Sequence, residues 1–178
     1  MTHPCEITLA QLLKARDERA EKQKELIKKF DLPVISMTVN IPGKNKKTSA
    51  STRIFREGCH VLIEKMEENE NRLLYVEIRE PNTGSEAYVV VKADAPALKE
   101  LMLQIENEHP LGRLWDLDVI GPNGSAISRE ELGYPKRKCL LCEEDAHVCA
   151  RSRAHPVELL LEKIQTIADA YFSGRIVE

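Results

Sequence analysis

Hydrophobic positions along the chain follow either helical spacing or the alternation of a strand, and each change between the two marks the boundary of a predicted element. Helical spacing follows the capping-box pair Thr8 and Gln11 and predicts a helix to about residue 30. The same spacing predicts three more helices, around residues 55–66, 94–105 and 156–173. Alternating or β-branched stretches predict four strands, at residues 32–42, 72–80, 86–93 and 115–120.

From residue 33 to residue 120 the predicted order is strand, helix, strand, strand, helix, strand. This is the βαββαβ order of the ferredoxin-like plan, here flanked by N-terminal and C-terminal helices in an α+β domain. A nucleotidyltransferase-like α/β sheet is the competing arrangement. The length favours a single domain over residues 1–178, with a Cys-rich connection at 134–155 before the last helix.

The strand "WDLDV" carries two carboxylates on one face. Asp116 and Asp118 are two residues apart, so their side chains point the same way and repel each other. A divalent cation between them makes the arrangement favourable, and Mg²⁺ combines one or two carboxylates with substrate phosphates. The pair therefore indicates phosphoryl or nucleotidyl transfer. The alternative is a solvated strand face on which each aspartate pairs with a lysine or arginine.

The stretch "TSASTRIFR" before the second helix is a candidate anion site. Backbone N–H groups at a helix start can hold a phosphate. Arg53 and Arg56 fall near that start, where the helix dipole disfavours cations unless an anion is bound. The alternatives are that the helix begins earlier or that these arginines pair with nearby carboxylates.

Four candidate metal ligands lie within "KCLLCEEDAHVCARSRAH". Cys139, Cys142, Cys149 and His155 begin with the Cys-x-x-Cys knuckle that forms half of many zinc sites. A second close pair is missing, so a packed loop with buried or reactive thiols is the alternative. His147 is a spare candidate ligand.

The charge balance narrows the possible partners. The chain has 26 basic and 29 acidic residues, a net charge of -3, which argues against bulk binding to nucleic acid. Local basic runs could still hold a small phosphorylated ligand. The sequence predicts neither a signal peptide nor a membrane span, so we expect a cytoplasmic protein with reduced thiols and no membrane partner.

Five segments together resemble one family, the citrate lyase holo-[acyl-carrier-protein] synthases, also called apo-citrate lyase phosphoribosyl-dephospho-CoA transferases. The resemblance covers about residues 8–165. The segments are "LLKARDER" (12–19), "TRIFREG" (52–58), "HPLGRLWDLDV" (109–119), "ISRE" (127–130) and "RKCLLCEEDAHVCARSRAH" (137–155).

The resemblance implies an enzyme acting on 2′-(5″-triphosphoribosyl)-3′-dephospho-CoA. It would transfer the phosphoribosyl-dephospho-CoA group to a serine of the citrate lyase acyl carrier (gamma) subunit and release diphosphate. The alternative is a noncatalytic, zinc-stabilised adaptor that binds citrate lyase subunits. Release of diphosphate distinguishes the two.

Within that reaction, each candidate residue has an expected role. Mg²⁺ on Asp116 and Asp118 would orient the triphosphate. The phosphates would be held by Arg53, Arg113 and Arg16. Histidine ordinarily has a pKa near neutrality, so His109 is a candidate acid or base, or else it only ends a helix. Glu77, on a strand expected to be adjacent, is a candidate third carboxylate.

Overall fold

A computed structural model of the chain describes residues 6–174, so the predicted domain of residues 1–178 extends past the described part at both ends. The predicted order of elements between residues 33 and 120 is confirmed. A short 3₁₀ turn, Gly112–Leu114, precedes the last strand. The elements are α1 (Leu9–Phe30), β1 (Val34–Val39), α2 (Ser49–Glu68), β2 (Arg72–Arg79), β3 (Glu86–Lys92), α3 (Ala95–Glu108), β4 (Trp115–Ile120), α4 (Ala146–Ser152) and α5 (Val157–Gly174).

Local signals fix several of these boundaries. Thr8 and Gln11 form the predicted capping box at the start of α1, and Asp94 accepts from Ala97 N at the start of α3. The helix α4 lies inside the predicted Cys-rich connection and was not predicted. With seven residues it is too short to show a clear hydrophobic period.

The four strands form one open antiparallel sheet in the order β2-β3-β1-β4. The α+β class is therefore confirmed. Strand β4 pairs with β1, which places Asp116 opposite Thr38 and Asp118 opposite Ser36. Strands β2 and β4 are the two edges, so two other strands separate them.

The two faces of the sheet pack differently. Helix α1 covers part of one face with a small cluster that includes Leu26, Tyr88 and Ile120. Helices α2, α3 and α5 cover the other face, where Trp115 and Leu117 join the larger core. Because side chains alternate along a strand, the aspartates of β4 point to the α1 side, beyond the apolar part that α1 covers.

Trp115 anchors the start of β4 to α2. Its indole N–H donates to Ile54 O at 2.9 Å, and its side chain is fully buried. Gly58 permits this approach, since a Cβ at that position would lie 2.7 Å from the indole nitrogen and 2.0 Å from Met37 Cε. The glycine of "TRIFREG" is therefore a packing requirement of the strand that carries the aspartates.

The outer edge of β4 is bonded by side chains of α3. Lys99 Nζ donates to Leu117 O at 2.8 Å, and Leu117 N donates to Glu106 Oε1 at 3.0 Å. Both charged residues are at least 95% buried, with exposed fractions of 5% and 2%. Since they are seven residues apart, they lie on one face of the helix, toward the strand.

The last helix, α5, lies within one residue of its predicted bounds. It buries Ile164 and Ala168 against the core, and Tyr171 donates its hydroxyl to Glu57 at 2.6 Å. Within residues 6–174, no helix is both long enough and apolar enough to cross a membrane.

Candidate active site and metal cluster

The two aspartates of β4 lie side by side on the sheet face, as the alternation predicts. Asp116 is half-buried, whereas Asp118 opens onto the solvent of a cavity. Desolvation by the surrounding atoms, together with the charge of Asp116, raises the pKa of Asp118 to about 6. The pair thus holds two negative charges that cost free energy at neutral pH.

Ion pairing does not account for this arrangement. The approach of Arg137 Nη2 to Asp116 Oδ1 is 3.9 Å, which is long for a salt bridge. Asp118 has no ion pair within residues 6–174. The alternative of a solvated face with each aspartate paired therefore fails for Asp118 and is weak for Asp116. Ion pairs among the described residues therefore leave the charge of Asp118 unexplained.

A cavity of about 580 Å³ opens beside β4 and contains both aspartates. Besides the aspartates, four basic residues and three acidic residues line it, together with one histidine. The charged or titratable side chains that line it, besides the aspartates, are Lys99, Glu106, Glu130, Arg129, Lys136, Arg137, Asp145 and His147. Acidic groups beside several cations suit a ligand that carries both a metal ion and phosphates.

Glu106 organises two of these basic residues. Its side chain is 3% exposed, and it accepts from Arg129 Nη2 at 2.7 Å and pairs with Arg137 Nη2 at 2.8 Å. It also accepts from Leu117 N, so one carboxylate fixes two arginines relative to β4. Both arginines are about one-fifth exposed, at 20% and 18%, which leaves part of each guanidinium open to the cavity.

The local sequence pattern does not predict these wall residues. Arg129 and Arg137 lie within "ISRE" and "RKCLLC", two of the segments on which the resemblance rests, but nothing local placed them near the aspartates. Lys99 and Glu106 sit on the apolar side of α3 at a spacing of seven residues. Charged residues on the apolar face of a helix are the signal that could have identified them.

A second cavity, of about 340 Å³, lies on the α1 side of Asp116. Arg16, Arg19 and Lys46 line it, and Arg19 is paired with Glu86 at 3.0 Å. The structure therefore brings Arg16 into the same cavity as Asp116, consistent with the prediction that it holds a phosphate.

Arg53 does not lie at this site. Helix α2 begins at Ser49, with Thr48 as its cap, so Arg53 falls in the second turn rather than the first. Its guanidinium lies over the ring of Phe172, 4.1 Å from the centroid, and it lines neither cavity of Asp116. The structure thus favours the two alternatives. Helix α2 begins early, and Arg56 pairs with a carboxylate, Glu80, at 3.2 Å.

His109 is also placed elsewhere. It caps the C-terminal end of α3, its Nδ1 accepts from Leu111 N at 3.1 Å, and its ring centroid lies 4.6 Å from that of Trp115. It does not line the aspartate cavities. Its contacts are those of a residue that ends a helix, the second of the two roles expected for it.

Glu77 cannot be a third carboxylate of the pair, because β2 and β4 are opposite edges of the sheet. It accepts from Tyr75 Oη and pairs with Lys22 at 3.0 Å and Arg79 at 2.5 Å. The Tyr75 hydrogen bond, with those of Lys22 and Arg79, lowers the pKa of Glu77 to about 2 despite its burial. The other carboxylates that line the aspartate cavity are Glu106, Glu130 and Asp145, and the charge of Glu106 contributes to the raised pKa of Asp118.

The predicted Cys/His ligands converge. The ligand atoms of Cys139, Cys142, Cys149 and His155 all lie within 4.8 Å of one another. Cys142 Sγ is 3.5 Å from Cys149 Sγ and 3.3 Å from His155 Nε2. His147 instead lines the aspartate cavity.

These separations fit a tetrahedral metal site. Zinc–sulfur bonds of about 2.3 Å at tetrahedral angles place two sulfur atoms ~3.8 Å apart, and a sulfur and a nitrogen slightly closer. The backbone N–H of Leu141 also donates to Cys139 Sγ at 3.5 Å, which stabilises a thiolate there. Burial alone would raise the pKa of Cys139, but this bond and those from neighbouring groups lower it.

Arg113 lies next to the Cys/His cluster rather than the aspartates. It donates to Lys138 O and lines a cavity of about 160 Å³ with Cys139, Cys149 and His155. Burial and the neighbouring arginines lower the pKa of its guanidinium. Its contacts hold the segment that contains Arg137.

The fold and site together define a class of protein: a small α+β domain with paired carboxylates in a cavity with several basic residues, joined to a Cys₃His cluster. The family model described as apo-citrate lyase phosphoribosyl-dephospho-CoA transferase matches residues 7–171. The chain belongs to this family.

Curated relatives agree with the family match. A protein of Vibrio cholerae serotype O1 (strain ATCC 39541) named "Probable apo-citrate lyase phosphoribosyl-dephospho-CoA transferase" is 44% identical over 171 residues, covering 95% of this chain and 96% of that protein. A protein of Escherichia coli O1:K1 named "Apo-citrate lyase phosphoribosyl-dephospho-CoA transferase" is 35% identical over 161 residues, covering 90% and 88%. The resemblance found from sequence segments is thereby confirmed.

Proposed function

We propose that this chain transfers the phosphoribosyl-dephospho-CoA group of 2′-(5″-triphosphoribosyl)-3′-dephospho-CoA to a serine of the apo acyl carrier (gamma) subunit of citrate lyase, with release of diphosphate. The family and its named transferases support the transfer. The main structural support for transfer at a phosphate is that Asp116 and Asp118 share one cavity with Arg129 and Arg137.

In the proposed reaction, the serine Oγ forms a bond to the α-phosphorus of the triphosphate. The bond from that phosphorus to the bridging oxygen of the leaving diphosphate breaks, and the serine proton is released. Arg129 and Arg137 stabilise the negative charge that grows on the leaving group. Glu106 keeps both guanidinium groups in place before the substrate arrives, so little reorganisation is needed during the reaction.

The donor set of Asp116 and Asp118 fits Mg²⁺. Both are hard oxygen ligands, they lie open to a cavity, and their own repulsion is relieved by a cation. When bound there, Mg²⁺ would neutralise charge on the triphosphate oxygens. Arg16 lines a second cavity together with Asp116, and we assign it to phosphate binding. Arg113 supports the segment of Arg137 by donating to Lys138 O.

The second part of the proposal is a structural zinc ion bound by Cys139, Cys142, Cys149 and His155. The convergence of four ligand atoms in a reachable geometry supports it. Metal analysis of protein purified without chelators or a polyhistidine tag should give one zinc per chain. Substoichiometric zinc, with an unchanged melting temperature after chelation, would refute it.

The fold forms a third part of the proposal. We assign the chain to a single catalytic domain of ferredoxin-like type. The chain order of its sheet elements and the antiparallel arrangement β2-β3-β1-β4 support that assignment.

Mass spectrometry of apo-carrier tests the function. After incubation with the nucleotide and Mg²⁺, the carrier should gain the mass of the phosphoribosyl-dephospho-CoA group, and one diphosphate should appear per group attached. A carrier with its acceptor serine replaced by alanine should gain nothing. If the chain binds the carrier but yields neither product, it is an adaptor and the proposed activity is wrong.

A further inference from the structure

One short segment supplies both the metal cluster and the wall of the aspartate cavity. Residues 136–150 contain three of the four cluster ligands. The same segment contributes six cavity-lining residues: Lys136, Arg137, Asp145, Ala146, His147 and Ala150. Arg137 precedes the first cluster cysteine by only two positions.

Backbone hydrogen bonds connect the cluster to Arg137. Ala146 N, at the start of α4, donates to Arg137 O at 2.8 Å. Cys139 N donates to Glu144 O at 2.8 Å, and Lys138 forms an isolated antiparallel bridge with Asp145. The segment is therefore a small hairpin whose two arms meet between Arg137 and the first turn of α4.

This hairpin has little apolar support of its own. Of the four cluster ligands only Cys149 is buried, and Lys138 and Asp145 form an exposed ion pair at 3.2 Å. An isolated two-stranded hairpin is marginally stable in water, and metal-binding free energy commonly supplies what such a module lacks.

The side chain of Arg137 reaches from the hairpin to the active site. It is paired with the buried Glu106 at 2.8 Å and lies 3.9 Å from Asp116. Glu106 receives a second cation from Arg129, so its negative charge is satisfied even when Arg137 moves. The position of Arg137 is thus decided by the hairpin as well as by its partner carboxylate.

We propose that metal bound at the cluster fixes Arg137 for phosphate binding, so that affinity for the triphosphate depends on a metal that does not touch it. The inference rests on the proposed function for the identity of the ligand. The four cluster residues act as positioning residues, through the hairpin and Arg137. A charge-assisted hydrogen bond contributes about 1.5–3 kcal/mol, so loss of the metal should weaken binding roughly ten-fold or more.

The test measures binding of inorganic triphosphate with Mg²⁺ to the full chain by calorimetry. A chelator selective for zinc over magnesium should weaken binding about ten-fold, and added zinc should restore it. Cys142→Ser should show the same loss, whereas Cys59→Ser, a cysteine of α2 outside the cluster, should bind as wild type. His155→Cys retains four ligands and should bind far better than His155→Ala.

Arg137→Ala completes a double-mutant cycle. In metal-loaded protein this variant should lose about ten-fold in affinity, and chelation should then cause little further loss, because both changes remove one interaction. Arg151→Ala, an exposed arginine of α4, is the matched control and should bind normally. Two results would overturn the inference: an unchanged affinity of metal-loaded Arg137→Ala, or a full additional loss on chelating it.

The two proposals fail in different ways. If wild-type protein modifies no carrier while its triphosphate affinity still follows the metal and Arg137, the proposed activity is wrong and the coupling holds. If carrier is modified but chelation leaves triphosphate affinity unchanged in folded protein, the coupling is wrong. If metal-depleted protein unfolds, metal-loaded Arg137→Ala still tests whether Arg137 binds the triphosphate, and comparison of folded His155→Cys with wild type still tests the role of the cluster.

Discussion

The guanidinium of Arg53 lies over the ring of Phe172, 4.1 Å from its centroid, and so joins α2 to the C-terminal helix. A cation over an aromatic face is attracted by the ring quadrupole. An arginine that the sequence suggested for phosphate binding thus stabilises the contact between two helices on the sheet face opposite the aspartates.

Arg53→Ala should therefore lower stability and leave nucleotide binding intact. The lost cation–π interaction is worth about 0.5–1 kcal/mol at such sites. In a protein of this size that corresponds to a fall in melting temperature of roughly 1–4 °C. Calorimetric melting and the KM for the nucleotide are the measurements. A large rise in KM without a change in melting temperature would show that Arg53 binds the nucleotide.

Asp116→Asn and Asp118→Asn should each reduce carrier modification by orders of magnitude while the fold is kept. Because the raised pKa of Asp118 is about 6, its negative charge destabilises the folded protein at pH 7.5. Asp118→Asn should therefore melt at or above the wild-type temperature at pH 7.5. This advantage should shrink as the pH falls from 6 towards 4, where the wild-type carboxyl becomes protonated. Near-normal modification by both variants would exclude a role in metal binding.

Glu77→Gln should destabilise the protein at neutral pH and become harmless in acid. The pKa of Glu77 is lowered from 4.5 to about 2, so its stabilising effect is complete above pH 4.5 and is lost as the pH falls towards 2. Replacing a carboxylate bonded to charged partners costs about 1.5–3 kcal/mol. Urea unfolding at pH 7 and pH 3 measures the difference, with the exposed Glu68→Gln as control. An equal loss at both pH values would contradict the assignment.

Gly58→Ala should displace Trp115 and with it the start of β4. The added Cβ would meet Met37 and the indole ring, and such overpacking typically costs 1–3 kcal/mol. Trp115 is the single tryptophan, so its fluorescence reports the shift directly. Gly174→Ala, where a Cβ meets nothing within 4 Å, is the control. If kcat falls while the emission of Trp115 is unchanged, displacement of Trp115 is not the cause of the lost activity.

Thiol titration distinguishes the cluster cysteines from Cys59. Burial raises the pKa of Cys59 to about 12, so it should react with a thiol reagent only after unfolding. Zinc-selective chelation should expose two reactive thiols in native protein, those of Cys139 and Cys142. Cys149 should stay unreactive like Cys59, because burial raises its pKa to about 12. If the number of reactive thiols is the same with and without the chelator, the cluster holds no metal.

The parts predicted correctly from sequence are those set by neighbours along the chain. The caps at Thr8 and Asp94 use hydrogen bonds within three residues, and the alternation around Asp116 and Asp118 needs only the pleat of one strand. The convergence of the Cys/His ligands was also predicted, because their spacing already brings them within reach.

The errors arose where distant segments meet. Glu77 is a candidate third carboxylate only if β2 and β4 are adjacent, and strand order depends on contacts that no local pattern contains. The segment before Arg53 contains several serines and threonines, and each of them could cap a helix. The cap in the structure is Thr48, so α2 begins at Ser49, four residues before Arg53. Arg137 came to the site only through folding of the Cys-rich segment onto α3.

Through the hydrogen bonds of Lys99 and Glu106 with Leu117, helix α3 also protects the outer edge of β4. Those two side chains supply to β4 the donor and acceptor that a fifth strand would otherwise offer. An incoming chain therefore finds the central Leu117 groups of this edge already occupied, while the β2 edge has no neighbouring strand within residues 6–174. Self-association through strand pairing is thus favoured at the edge of the sheet away from the aspartates, and it would leave the cavity that contains Asp116 and Asp118 open.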